Sequence, residues 1–119
     1  MKNVFIIEDV ESISQLMQTL LEKRGYAVVL ATNVQDALDC FPRKVWDAII
    51  FDGCLGGEEF NSGPLIEEFK DKVPEACLLV AASSSPDLRK TMMKMGCTHE
   101  TPKNNAPNLV HSLLRELPE

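Results

Sequence analysis

Long apolar runs are missing from this sequence. Its apolar segments, such as 4–7 and 78–82, fall far short of the roughly 20 residues that a membrane-spanning helix needs. The amino terminus also lacks the longer apolar region and the small-residue cleavage site that mark a secretory signal. We therefore expect a cytoplasmic protein with no membrane insertion.

An excess of positive charge is missing too. The chain carries 12 Lys and Arg residues against 18 Asp and Glu residues, which gives a formal net charge of −6. Because such a surface repels phosphate backbones and anionic lipid headgroups, we expect no direct binding of nucleic acid.

Paired cysteines are also absent. The four cysteines are widely separated, with no Cys-x-x-Cys pair and no histidine at a ligand spacing. This pattern disfavours a zinc site or a disulfide scaffold, and it favours reduced thiols that pack as small apolar side chains. The positions concerned are Cys40, Cys54, Cys77 and Cys97.

The remaining composition is that of an ordinary folded domain. The 119 residues are 45% hydrophobic and 25% charged, and domains most often hold roughly 100–150 residues. We therefore expect a single domain that spans residues 1–119.

Short apolar strand patterns alternate with amphipathic helix patterns along this domain. One helical stripe consists of Ile13, Leu16, Met17, Leu20 and Leu21, whose spacing predicts a helix with these side chains on its buried face. The alternation predicts a mostly parallel sheet that is covered by helices on both faces. The predicted strands are 4–7, 27–30, 47–52, 77–82 and a weaker, polar one at 98–102; the other predicted helices are 34–41, 64–72, 85–95 and 105–117.

Three helix boundaries carry explicit signals. Thr32 and Gln35 have the spacing of a capping box, which predicts Thr32 as an N-cap. Ser85 is the natural N-cap of the fourth helix, and Gly96 is its predicted end.

Polar side chains follow the predicted strands at the points where they end. In an open parallel sheet these ends share one edge, where ligands bind. We therefore expect three carboxylates, a hydroxyl and an ammonium to gather there. The residues are Glu8 and Asp9 after the first strand, Asp52 after the third, Ser83 and Ser84 after the fourth, and Lys103 after the fifth.

Clustered carboxylates repel one another unless a cation joins them. Oxygen ligands favour magnesium over zinc, and Mg²⁺ commonly takes one or two carboxylates together with a phosphate oxygen. A lysine and a hydroxyl at the same edge suit phosphoryl transfer. Asp52 is then the plausible nucleophile, since carboxylates can form acyl phosphates.

This ordered set of residues resembles the receiver domain of two-component response regulators, over essentially the whole chain. The resemblance implies a flavodoxin-like α/β fold, a five-stranded parallel sheet in the order 2-1-3-4-5. That order is taken from the family and does not follow from the sequence patterns. Because the chain ends just after the fifth helix, we also expect a stand-alone receiver without an output domain.

The resemblance also assigns roles. Asp52 would accept a phosphoryl group from the phosphohistidine of a sensor histidine kinase or a histidine phosphotransfer protein. Lys103 would contact that group and Ser83 would turn toward it, which would change the docking of an unknown downstream protein. Asp9, Asp52 and the backbone carbonyl of Cys54 would hold Mg²⁺, and Glu8 would act through its water shell.

Some positions depart from the family pattern. The loop from Asp52 to Gly63 is longer than is common and lacks the usual proline. Ungapped counting back from Lys103 puts Ala81 at the hydroxyl position, whereas the strand end favours Ser83, with Ser84 as the second choice. Glu100 stands near the position where the family usually has an aromatic switch residue.

Two other functions compete with phosphate acceptance. One is a degenerate receiver that acts as a phosphorylation-independent interaction module. The other is a phosphohydrolase that uses Asp52, but phosphatases of the haloacid type place a second aspartate where this chain has Cys54. We therefore expect a signalling protein and no enzyme.

Overall fold

The computed structural model describes residues 1–57 and 59–118. Glu58 and Glu119 lie outside the described residues. The strands are β1 (Asn3–Ile7), β2 (Ala27–Ala31), β3 (Ala48–Asp52), β4 (Leu78–Ala82) and β5 (His99–Thr101). The helices are α1 (Glu11–Glu22), α2 (Val34–Cys40), α3 (Gly63–Lys70), α4 (Pro86–Met95) and α5 (Ala106–Leu114), and short 3₁₀ turns cover Phe41–Arg43 and Lys103–Asn105.

The five strands form one parallel sheet in the order β2-β1-β3-β4-β5. This confirms the predicted fold class and strand order. The polar fifth strand is real but only three residues long, and it lies at the edge of the sheet. Pro102 follows it, so the missing N–H of proline costs the ladder no hydrogen bond.

Helices cover both faces of the sheet, as the alternating pattern predicts. Side chains of β1 alternate between two cores: Phe5 and Ile7 pack toward α2, α3 and α4, while Val4 and Ile6 pack toward α1 and α5. All four are fully buried. Because central strands lose contact with water on both faces, they read as continuous apolar runs in the sequence.

Helix α1 buries a narrower face than its apolar stripe predicts. Met17 and Leu21 are buried together with Ser14, whereas Leu16 is 60% exposed and Leu20 is 40% exposed. The expectation that the whole stripe is buried is therefore wrong for two positions. A helix that packs on a sheet beside another helix can bury only about a third of its circumference.

The helix caps are partly as predicted. Ser85 Oγ accepts a hydrogen bond from the Leu88 N–H at 3.2 Å, and Gly96 ends α4 with a φ of 136°. The N-cap of α2 is Asn33, whose side chain accepts the Asp36 N–H at 2.8 Å. The predicted Thr32 cap is thus wrong by one residue.

Among residues 1–57 and 59–118, no helix is both long enough and apolar enough to cross a bilayer.

Candidate functional site

The strand register brings the acidic residues to one edge of the sheet. Ile7 of β1 pairs with Phe51 of β3, so the residues that follow them, Glu8 and Asp52, lie at the same height on neighbouring strands. One carboxylate oxygen from each of Glu8, Asp9 and Asp52 lies within 4.8 Å of the others. The predicted gathering of the three acids is therefore confirmed.

Lys103 joins this acidic cluster from the other side of β3. Its Nζ lies 2.9 Å from Glu8 Oε1 and 3.1 Å from Asp52 Oδ1. It begins the 3₁₀ turn that follows β5, two residues beyond the end of that strand. One ammonium thus faces three carboxylates, which leaves the cluster with an excess of negative charge when all groups are ionised.

Backbone N–H groups hold the acids in place. Glu8 is only 2% exposed, and its Oε2 accepts the Val10 N–H at 3.1 Å at the start of α1. Asp9 Oδ2 accepts the Gly56 N–H at 3.0 Å, which links the acidic cluster to the loop between β3 and α3. These contacts orient the carboxylates before any ligand arrives.

The ionisation of Asp52 is strongly perturbed. Burial, hydrogen bonding with Asp9 and repulsion by Glu8 together raise the pKa of Asp52 from 3.8 to about 7, although Lys103 opposes the rise. Burial also raises the pKa of Asp9, but hydrogen bonds with Asp52 and Glu8 outweigh it and leave this pKa below its usual value. Without a cation, Asp52 therefore keeps its proton to a much higher pH than an ordinary aspartate does, in a hydrogen bond with Asp9.

Lys103 stays charged despite its partial burial. Burial alone lowers the pKa of Lys103, but hydrogen bonds to Glu8 and Asp52 outweigh that effect and raise it above the usual value. A permanent cation at this position can meet the oxygens of an incoming phosphoryl group.

The donor set fits a hard divalent cation. Asp52 Oδ2 is buried, and no N–H or O–H group of the described residues reaches it. An unpartnered buried carboxylate oxygen is costly unless a proton or a cation satisfies it. With two further carboxylates within 4.8 Å, the cluster can hold a metal ion through oxygen ligands.

The thiol of Cys54 is poorly suited to bind a metal ion. Burial and the nearby charge of Asp52 raise the pKa of Cys54, so the sulfur stays protonated and is a poor ligand at neutral pH. Its N–H points at Asp52 Oδ1 across a long 3.5 Å contact. The assignment of its carbonyl as a metal ligand remains a prediction.

Ser83 lies one residue past the end of β4, and its hydroxyl is occupied. Ser83 is 5% exposed, and its Oγ accepts the Ser85 N–H at 3.1 Å. Ala81 lies within β4, and Ser84 is exposed. Of these three positions, only Ser83 is both buried and equipped with a hydroxyl, and its role toward a phosphoryl group stays a prediction.

Arg89 of α4 was not identified as a site residue from the sequence. Its Nη1 donates to the Ser83 carbonyl at 2.6 Å, and its Nε contacts Glu100 Oε1 at 3.2 Å. Glu100, at the position expected for an aromatic residue, is thus paired with an arginine. The first turn of α4 presents many polar residues, so no local signal singles out Arg89.

Comparisons with known families agree with this geometry. The model of the response regulator receiver domain matches residues 4–115. A putative NtrX-like response regulator of Rickettsia felis is 28% identical over 106 residues, which make up 87% of this chain and 22% of that protein. The chain spans only 22–23% of the length of the curated relatives first matched.

Solved structures show the same fold. A response regulator from Burkholderia pseudomallei, crystallised with a phosphorylated aspartic acid, a calcium ion and citrate, is 26% identical with a TM-score of 0.81, over 95% of this chain and 66% of that chain. TrrA from Thermotoga maritima, in complex with Mg²⁺ and BeF, is 20% identical with a TM-score of 0.78, over 95% of this chain and 99% of that one.

Proposed function

The chain belongs to the response regulator receiver domain family, and we propose that its Asp52 accepts a phosphoryl group in two-component signalling or a phosphorelay. Receiver domains are signalling modules rather than classical enzymes. The observation that carries this proposal is the joint presence of three carboxylates and Lys103 at the end of the sheet. The donor would be the phosphohistidine of a sensor kinase or phosphotransfer protein in the cytoplasm.

In the proposed step, a carboxylate oxygen of Asp52 bonds to phosphorus while the phosphorus–nitrogen bond of the donor breaks. Asp52 must be ionised to attack, whereas its raised pKa in the cation-free cluster leaves a large fraction of it protonated at neutral pH. A Mg²⁺ ion held by Asp9, Asp52 and the Cys54 carbonyl would offset the negative charge of the carboxylates and of the phosphoryl group. Glu8 would act through the ion's water shell.

Lys103 would change partners during this step. In the free protein its ammonium is shared between Glu8 and Asp52. Once Asp52 carries the phosphoryl group, the three new acceptor oxygens offer Lys103 a stronger charge-assisted contact.

Ser83 would respond to the same oxygens. Turning its hydroxyl toward the phosphoryl group would break the bond that it accepts from the Ser85 N–H and form one in which it donates to a phosphoryl oxygen. That exchange would shift the β4–α4 segment between two arrangements and change which protein docks downstream.

An apolar cleft beside the site is suited to the phosphodonor. Leu16 and Leu20 of α1 are exposed, and they line this cleft together with Lys103 and Pro107. A donor protein seated here would cover apolar surface and reach the lysine that faces Asp52. The alternative of a phosphorylation-independent module is not favoured, because a degenerate site would not be expected to keep the complete acidic cluster and its lysine.

The proposal is tested by incubation with Mg²⁺ and acetyl phosphate, followed by intact mass and mapping of the modified residue. We expect one phosphoryl adduct on the wild-type protein, none with Asp52→Asn, and an undiminished adduct with Asp39→Asn. Asp39 is a matched control because it is an exposed aspartate on α2, bonded only to Gln35 among the described residues. An unmodified wild-type protein, or an adduct that persists in Asp52→Asn, would contradict the proposal.

A further inference from the structure

The side chain of Asn61 closes the loop between β3 and α3. Its Oδ1 accepts the Leu55 N–H and its Nδ2 donates to the Leu55 carbonyl, both at 2.7 Å. Its own backbone N–H donates to the Gly53 carbonyl at 3.0 Å. One side-chain amide therefore holds both polar backbone groups of Leu55 as a neighbouring strand would.

These two bonds orient the peptide unit that contains the Cys54 carbonyl. A peptide unit is planar and trans, so its N–H and C=O point in opposite directions. Because the Leu55 N–H is aimed at Asn61, the Cys54 carbonyl of the same unit is aimed away from Asn61. Fixing one end of this unit fixes the direction of the other.

The next peptide unit is held in the same way. Its carbonyl, that of Leu55, accepts from Asn61, and its N–H, that of Gly56, points oppositely and donates to Asp9 Oδ2 at 3.0 Å. Gly56 has a φ of 76°, a conformation that glycine adopts without strain. Asn61 thus holds two consecutive peptide units. The first carries the Cys54 carbonyl, which is directed away from Asn61, and the second carries the Gly56 N–H, which binds the Asp9 carboxylate.

We propose that Asn61 is a positioning residue for the Mg²⁺ site: it does not touch the ion but orients the Cys54 carbonyl and, through the Gly56 N–H, the Asp9 carboxylate. This inference rests on the proposed function, since it takes the cation site at Asp9 and Asp52 as its premise. Groups that orient metal ligands typically contribute 10–100-fold to metal affinity. The expected effect of removing the amide is therefore about tenfold or more weaker binding of Mg²⁺.

The first test compares Asn61→Ala with Asn33→Ala by calorimetric titration with Mg²⁺ alone. Asn33 is a matched control because it also accepts a backbone N–H, that of Asp36 at 2.8 Å, but does so at the N-cap of α2. We expect Asn61→Ala to weaken Mg²⁺ binding about tenfold or more, and Asn33→Ala to lose stability without losing Mg²⁺ affinity. Equal Mg²⁺ affinities for wild type and a folded Asn61→Ala would overturn the inference.

The second test uses the wild-type protein and does not depend on whether a variant folds. If the bonds made by Asn61 favour Mg²⁺ binding, then Mg²⁺ must strengthen those bonds, because coupling is reciprocal. Hydrogen exchange of the Leu55 N–H should therefore slow on addition of Mg²⁺, and unchanged exchange would count against the role of Asn61. If the wild type binds Mg²⁺ and is phosphorylated, but neither Asn61→Ala nor the exchange of the Leu55 N–H shows the expected effect, this inference alone is wrong. If the wild type binds no Mg²⁺, both the cation site and this inference are wrong.

Discussion

Replacing Asp52 with Asn should stabilise the cation-free domain at pH 8 but not at pH 4. The pKa of Asp52 is raised from 3.8 to about 7 by burial and by its acidic neighbours, and each unit corresponds to 1.36 kcal/mol. The full shift of about three units would amount to about 4 kcal/mol. Because Asp9 and Lys103 in the same cluster are partly exposed and Asp52 titrates together with Asp9, we halve this to about 2 kcal/mol.

The sign of this pH dependence follows from the linkage between proton binding and folding. A carboxyl group with a raised pKa in the folded state favours folding while it is neutral, so this contribution is complete below about pH 4 and disappears as the pH rises through 7. The wild-type protein should therefore lose about 2 kcal/mol between pH 4 and pH 8 in EDTA, while Asp52→Asn, which cannot ionise, avoids that loss. For a domain of this size the loss corresponds to a urea midpoint about 1 M lower.

Trp46 provides the assay. It is the only tryptophan in the chain, and it is 2% exposed and stacked on Phe5 in the core, so its fluorescence should report global unfolding. Urea titrations in EDTA at pH 4, 5, 6, 7 and 8 would compare wild type, Asp52→Asn and the exposed control Asp39→Asn. If wild type and Asp52→Asn changed in parallel with pH, the reasoning about the acidic cluster would be refuted.

Three further predictions follow from particular contacts. Lys103→Met should lower the stability of the cation-free protein at pH 8 by about 2 kcal/mol, because it leaves buried carboxylates unpaired; urea midpoints measure it, and an unchanged midpoint would contradict it. Gly96→Ala should lower the free energy of unfolding by about 1–3 kcal/mol, since φ at Gly96 is 136° and the added Cβ would lie 2.6 Å from Lys70 Cδ. Gly57→Ala is the control, because a Cβ there meets nothing within 4 Å. Equal urea midpoints for the two variants would rule out backbone strain at Gly96. Leu16→Ser should change stability by less than about 0.5 kcal/mol and slow phosphotransfer from a donor protein but not from acetyl phosphate; equal slowing with both donors would argue against docking on α1.

Much of the fold and part of the site could be predicted from short-range patterns. Central strands such as Val4–Ile7 are apolar on both faces because both faces are buried, and this leaves a continuous run that is visible in the chain. A parallel sheet places every strand end on one edge, so a common edge for Glu8, Asp52 and Lys103 followed from their order in the chain, whereas the adjacency of β1 and β3 was taken from the family resemblance. No side-chain geometry was needed for that prediction.

Other features depend on neighbours that are distant in sequence. The stripe of α1 does not reveal that Leu16 and Leu20 face solvent, because packing against the sheet and α5 selects which part of an apolar face is covered. Asn61 lies in a polar loop, where an asparagine is ordinary and carries no signal of a special role. Its hydrogen bonds to Leu55 are apparent only in the folded loop.

Asp52 shows the same difference between what the sequence determines and what the tertiary structure determines. The amino-acid order assigns an aspartate to the end of β3, and local rules suffice for that. Its pKa of about 7 requires desolvation, the approach of Asp9 and Glu8, and the opposing charge of Lys103. Electrostatic interactions depend on distance and on exclusion of water, and the folded chain is what sets both.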